Sequence, residues 1–305
     1  MALPFFQALN GRSGHFAKTR LVAGAFMISF SGVWVKICHV SPTASAFYRV
    51  FFGGLFLLAA TLIRRETLRL SPRHAGLGLV CGFLFTVDLI CYHYSIQFIG
   101  PGLGTIIPNF QVFILAIIGA LLLKEKIRMI ALLSMPVAFA GLFLVVGAGW
   151  GRLDQLYKTG IYFGLSAAVF YSLFLLSLRK LQAEQGGRSV FHVLMVVSLI
   201  SAVFIALELL RTGDTFRISD GQSLLSLTAL GLFSQAVGWI LITNALPHVR
   251  ASLSGLILLL QPALAFVWDV LIFQRPTSTL NWIGVAIVLC AIYFGATGRV
   301  PGRRR

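Results

Sequence analysis

The sequence predicts an all-α membrane protein of ten transmembrane helices, arranged as two inverted five-helix repeats. Three observations lead there. Of the 305 residues, 58% are hydrophobic and only 11% charged, with a mean hydropathy of +0.89. A water-soluble domain carries about a quarter of its residues charged, so most of this surface meets something other than water. The apolar residues gather in runs near the ~20 residues that a helix needs to cross a ~30 Å hydrocarbon core at ~1.5 Å per residue. Finally, the two halves of the chain align on each other at a single offset.

The runs occupy residues 21–40, 43–63, 75–99, 102–123, 127–149, 159–178, 190–210, 224–246, 251–273 and 280–298. They are expected to be helices, because unpaired backbone groups are too costly in lipid and no run alternates with the period of two of a barrel strand. Residues 1–20 read as a tail without the apolar core and cleavage site of a signal peptide, so the first run is expected to serve as the targeting signal. A second, basic tail covers 299–305. A net charge of +16 would suggest nucleic acid in a soluble protein. Here Lys and Arg cluster between the apolar runs, so the expected partner surface is the lipid bilayer and no nucleic-acid partner is expected. Cys38, Cys81, Cys91 and Cys290 have no CxxC or CxxH spacing, and neither a metal site, a cofactor nor a disulfide framework follows.

Orientation follows from the loops. An inside N-terminus gives the cytoplasmic face Arg12, Lys18, Arg20, Arg64, Arg65, Arg69, Arg73, Lys124, Lys126, Arg128, Arg179, Lys180, Arg188, Arg250, Arg299, Arg303, Arg304 and Arg305. The other face receives only Lys36, Arg152, Lys158, Arg211, Arg217 and Arg275. This bias over short loops places both termini in the cytoplasm, which requires an even number of spans.

Shifting the chain so that Leu121 meets Val270, an offset of 149, lays LLLKEKI on VLIFQRP without a gap. The same offset lays Cys81-GFLF on Leu230-GLFS and Tyr94-SIQFIGPG on Thr243-NALPHVRA. The halves are thus 21–149 and 159–298, with five runs each. An odd number of spans per repeat inserts the second upside down, an architecture of secondary transporters that puts substrate at the midplane between halves. Ala46-FYRVFFGGLFLLA, Leu121-LLKEKI and Ile272-FQRPTSTLNWIGVAIVLCAIYFG carry a resemblance over about 21–298. The chain resembles the drug/metabolite transporter superfamily, and within it the EamA family of bacterial permeases. The resemblance implies a multi-pass protein of the bacterial inner membrane. Spans one, three, four, six, eight and nine would surround a cavity, with five and ten behind. The family often has an acidic residue where each half's penultimate helix ends; Glu125 keeps it and Gln274 does not, so no symmetric role for that pair follows.

Polar residues inside the spans mark the expected site. Asp88 lies midway along span three, where a charge costs ~2.5–3.5 kcal/mol on insertion scales. Helical spacing aligns it with Cys91, Tyr92 and Ser95, while His93 points away as a packing residue. Arg49 lies at a similar depth in span two, and an Asp88–Arg49 ion pair is the structural alternative to an Asp88 facing a watery cavity. Asp269 and Glu208, nearer span ends, read as interfacial or paired, Asp269 with Arg275. Pro108 beside Asn109 and Gln111, and Pro262 beside Gln261, are expected to bend spans four and nine at a substrate site. Span eight aligns Gln235 and Trp239 on one face. The substrate-binding set is therefore Asp88, Tyr92, Asn109, Gln235, Trp239 and Gln261, with Trp34 and Tyr171 as further aromatic candidates. The motifs Gly78xxxGly82 and Gly160xxxGly164 read as close packing inside one bundle, so a monomer or weak dimer is expected.

One midplane carboxylate without an aligned histidine does not make an intramembrane enzyme, so no catalytic residue is assigned. No Walker A motif supplies ATP hydrolysis. The expectation is a secondary active transporter of a small-molecule substrate, an exporter of amino acids or related solutes. Burial disfavours the charged form of a carboxyl group, which makes protons the candidate coupling ion. A lipid or lipid-carrier flippase is the alternative, distinguished by a laterally open groove in place of a closed pocket.

Overall fold

A computed structural model describes residues 3–66, 72–122, 129–146, 151, 153–184, 189–245, 248–249 and 257–297. The first half comprises α1 (Leu3–Ser29), α2 (Ser31–Ile37), α3 (Pro42–Ile63), α4 (Pro72–Ile106), a 3-10 turn (Ile107–Phe110), α5 (Gln111–Leu122) and α6 (Met129–Val146). The second comprises α7 (Gln155–Glu184), α8 (Val190–Thr212), α9 (Gly221–Ala229), a π-helical segment (Leu230–Gly238), α10 (Trp239–Ala245), α11 (Leu260–Phe273) and α12 (Thr279–Thr297).

Among the described residues six helical stretches are long and apolar enough to cross a membrane: Phe16–Ile37, Pro42–Ile63, His74–Leu115, Gln155–Gln182, Val190–Thr212 and Gly221–Ala245. Shorter apolar helices run over Leu132–Val145, Leu260–Phe273 and Thr279–Gly295. The 42 residues of His74–Leu115 would extend about 63 Å as one straight helix, twice a hydrocarbon core. Gly100 divides them. Its φ of 85° and ψ of 164° lie outside helix space, in a region that only glycine enters freely, and Pro101 then starts a new helix at its preferred first turn. The residues ahead of the first span, read from sequence as a tail, continue as helix from Leu3 into α1. The starts of the fifth and ninth runs, and Glu125, lie outside the described residues.

Helices associate in lipid through close packing and interhelical hydrogen bonds, because lipid tails are as apolar as leucine. The glycines act there as expected. A Cβ on Gly82 would lie 2.4 Å from Ile200 of α8, and the Ser201 hydroxyl donates to the Gly82 carbonyl at 2.9 Å. Gly160 and Gly164 let α7 approach Phe98, Ile99 and Ile107 equally closely. Gly141 of α6 and Gly284 of α12 press backbone to backbone, pairing these two helices away from the cavity described below. Several apolar clusters result, of which two matter to the cavity. One surrounds Leu103, Ile107, Phe110 and Phe266; the other joins Val50, Phe85, Leu89, Phe174 and Val197. Large side chains such as Ile63, Leu133, Phe143, Leu210 and Leu225 stay exposed on the outside, where lipid solvates them.

Polar contacts fasten one end of the bundle. Asp220 caps α9 by accepting from the Ser223 backbone at 2.8 Å and its hydroxyl at 2.8 Å. These hydrogen bonds hold its carboxyl down to about 2, so the cap persists above the ordinary carboxylate range and is lost only as pH falls through that value. The His39 backbone donates to Ser223 Oγ at 2.8 Å, Gln222 donates to the Ile37 carbonyl at 2.9 Å, and Ser41 bonds Asp214. The first half's α2–α3 turn is thereby tied to the second half's α8–α9 turn. At the same end Arg275 donates to Asp269 Oδ2 at 2.9 Å, the Ile99 carbonyl at 2.9 Å and the Tyr157 hydroxyl at 2.8 Å. Asp269 in turn accepts from the Gly102 backbone at 3.1 Å, so the expected Asp269–Arg275 pair also caps the helix that follows Gly100. Glu208 pairs with Arg211 at 2.7 Å.

Candidate functional site

A cavity of about 320 Å³ opens between the two halves. Its wall comes from α1 and α2 (Ile28, Ser31), α3 (Arg49), α4 (Phe85, Asp88, Leu89, Tyr92, Thr105), the 3-10 turn (Pro108, Asn109) and α5 (Gln111). The second half adds Tyr171 and Leu175 from α7, Trp239 and Ile242 from α10, Leu258, and Gln261 from α11.

Local chain chemistry explains the polar half of this wall. Pro108 has no N–H to give the Gly104 carbonyl, and the helix tightens there into the 3-10 turn Ile107–Phe110. Asn109 stays beside the break because its amide donates to the Thr105 carbonyl at 2.7 Å, leaving its oxygen for a solute. Thr105 also meets the Tyr92 hydroxyl at 3.2 Å. In the other half Pro262 follows a turn at Leu259. Gln261 beside it makes no hydrogen bond among the described residues and fronts the same cavity as Asn109. Trp239 is fixed edge-on against Phe174 at 6.3 Å.

Asp88 is 6% exposed and lines the cavity. Among the described residues no nitrogen stands within ion-pair distance of its carboxylate, so the Asp88–Arg49 pair entertained from sequence is not formed. Arg49, 5% exposed, lines the same cavity. Its Nε donates to Gln235 Oε1 at 3.1 Å, its guanidinium lies 5.7 Å from the Tyr92 ring centre, and its Nη1 has no hydrogen-bond partner.

Five of the six residues expected to bind substrate, namely Asp88, Tyr92, Asn109, Trp239 and Gln261, come together on this wall. Gln235 does not. It is 2% exposed and bonds Arg49 through its oxygen and Ser198 of α8 through its nitrogen at 3.0 Å. Within the π-helical segment Leu230–Gly238 its amide is turned to Arg49 of α3 and Ser198 of α8, which hold it off the cavity wall. Cys91 and Ser95 are not on the cavity wall; Ser95 packs against α7 near Gly164. His93 is a packing residue, fully buried and hydrogen-bonded through Nδ1 to Ser45. Arg49 was legible only as a charge in an expensive place; its position on the wall was not. Ser31 and Thr105 carried no such signal, and Gln111 was marked only as an amide beside Pro108.

The profile of the EamA-like transporter family matches residues 19–147 and again 158–296. This chain belongs to that family. EamA-like proteins form part of the drug/metabolite transporter superfamily, so this one is a multi-pass membrane protein of a transporter family. It is 24% identical over 249 residues to an uncharacterised transporter of Clostridium kluyveri, covering 78% of each chain. A pseudopaline exporter of Pseudomonas aeruginosa is 25% identical, over 88% of this chain and 92% of the relative. A solved crystal structure superposes with a TM-score of 0.65 at 17% identity, over 94% of this chain and 98% of the other, and extends the fold likeness along the EamA-like chain. The cavity lies between its two matched segments, with wall residues from both.

Proposed function

We propose that this EamA-like protein is a secondary active exporter of amino acids or related small solutes, working by alternating access in the inner membrane. Ten spans in two inverted repeats, with both termini cytoplasmic, form its frame. One observation carries the reading: the cavity between the halves joins an unpaired carboxylate, Asp88, to the amides of Asn109 and Gln261 beside two helix breaks. A helix break at the repeat interface is where such carriers hold substrate. Amides offer donors and an acceptor without charge, and about 320 Å³ falls at the small end of the ~300–1,000 Å³ typical of ligand pockets. Asp88, Tyr92, Asn109, Trp239 and Gln261 contact the solute. A relative's name as an exporter supports the outward direction.

Exchange in proteoliposomes tests this. Vesicles holding the purified protein and a labelled amino-acid panel should exchange label with external amino acids, faster under an imposed pH gradient. Transbilayer movement of a fluorescent lipid without solute exchange would replace the reading with a flippase. Topology is checked separately in intact cells. Cysteines introduced beside Arg65 and Arg128, in a cysteine-free background, should resist an impermeant maleimide, whereas one beside Arg217 should react. Labelling beside Arg65 would overturn both the orientation and the inverted arrangement.

A further inference from the structure

Among the described residues Arg49, inside the bundle, and Arg275, at its end, are both largely withdrawn from solvent, and they are built differently. Arg275 is saturated: it has a carboxylate, a main-chain carbonyl and a tyrosine hydroxyl, each within 2.9 Å. That is how the chain satisfies a guanidinium whose work is structural. Arg49 has no such carboxylate: among the described residues its Nε donates to the neutral Gln235 oxygen, Tyr92 stands beside it, and its Nη1 has no hydrogen-bond partner. A carboxylate exists nearby on Asp88, lining the same cavity, but it is not brought into an ion pair.

The Gln235 acceptor is itself held in place. Gln235 donates to Ser198 with its nitrogen at 3.0 Å, which fixes the amide so that its oxygen faces Arg49. The space for it exists because residue 53 is glycine; a Cβ there would lie 2.4 Å from Gln235 Cγ. Nε is thus spoken for, while Nη1, on the edge that matches a carboxylate as a fork, has no hydrogen-bond partner. Tyr92 flanks the guanidinium at 5.7 Å, a contact that keeps a cation in place without neutralising it.

Resting on the transport reading above, we infer that Arg49 is the carboxylate-recognising residue of the cavity, with Gln235 and Ser198 as positioning residues. The exporter accordingly selects solutes that bear a free carboxylate. The ammonium of an amino acid then faces Asp88, which lacks a counter-ion of its own. The cavity recognises a zwitterion by its two ends and leaves the solute side chain to Phe85, Leu89 and Trp239.

The test compares acids with their amides. Leucine, methionine and phenylalanine, each with its carboxamide, are titrated against detergent-purified protein by calorimetry and used as external competitors in the exchange assay. A charge-assisted hydrogen bond should favour acid over amide on the order of 10–100-fold in the wild type. Arg49→Gln should bring that ratio close to one, and Arg49→Lys should retain part of it. Gln235→Glu, which keeps the shape but sets a competing carboxylate on Nε, should lower the ratio with Arg49 still present. A wild type that takes amides as readily as acids overturns the inference, as does an Arg49→Gln protein that keeps the preference. Should Arg49→Gln fail to fold, the wild-type ratio and Gln235→Glu decide. Arg49-dependent binding of acids without exchange would defeat the transport reading alone, and exchange without acid preference would defeat the inference alone.

Discussion

Arg275→Ala is expected to be the most destabilising single substitution in the polar framework, at about 3–5 kcal/mol. The side chain of Asp269 is 4% exposed and that of Arg275 16%. Removing the arginine leaves a buried carboxylate without its ion-pair partner, held by the Gly102 N–H. It also deprives the Ile99 carbonyl and the Tyr157 hydroxyl of their donor, loosening α11, α4 and α7 together where Gly100 breaks the chain. Adding Asp269→Asn should recover part of the loss, since an amide oxygen still accepts from Gly102 without leaving a charge unpaired. Thermal unfolding in detergent measures both. A shift of under about 2 °C for Arg275→Ala would mean that solvent already screens the pair and that it does not clamp the helices.

Asp88→Asn is expected to abolish the response of transport to a pH gradient, while solute exchange persists at raised amino-acid concentration. The carboxylate faces the cavity and has no ion-pair partner among the described residues, so a proton and a solute ammonium compete for the same oxygens. Such mutual exclusion is what an antiporter with a single binding site needs, and the amide keeps the shape while losing the charge. Gradient-driven uptake in proteoliposomes should fall at least tenfold, to the rate without a gradient, which corresponds to about 1.4 kcal/mol of driving force. Affinity for amines should fall with it, whereas the preference of acid over amide, which belongs to Arg49, should not change. A variant with wild-type uptake and wild-type pH response would remove Asp88 from coupling.

Membrane residence, the helical character of each run and the packing use of the paired glycines were all legible in the sequence, because each depends on counting. Apolar content over a fixed length decides whether water or lipid is the better solvent, and small residues four apart always share a helix face. The Asp269–Arg275 pair was legible for a similar reason, being local along the chain and near a span end. Asp88, Tyr92, Asn109, Trp239 and Gln261 could be nominated because polar groups and prolines in an apolar helix are costly unless the structure uses them. The structure does bring those five to one cavity wall.

Other features depend on what a residue meets from a distant part of the chain. The π segment Leu230–Gly238 arises where Gly231 and Gly238 are pressed against Phe52, Gly53 and Ile28, and no local propensity announces it. Within it Gln235 is held by Arg49 and Ser198, off the cavity wall. The break at Gly100 is written in a Gly-Pro pair, yet only packing puts Asp269 there to cap the new helix and Arg275 to hold Asp269. Arg49 shows the same limit. Sequence places a cation in span two at a cost, but the choice between ion pair and recognition site is a matter of a few ångströms between α3, α4 and the π segment. Solvent preference adds up residue by residue and can be read along the chain. The partner of a buried charge is set by helices that meet only after insertion, and that only the tertiary structure decided.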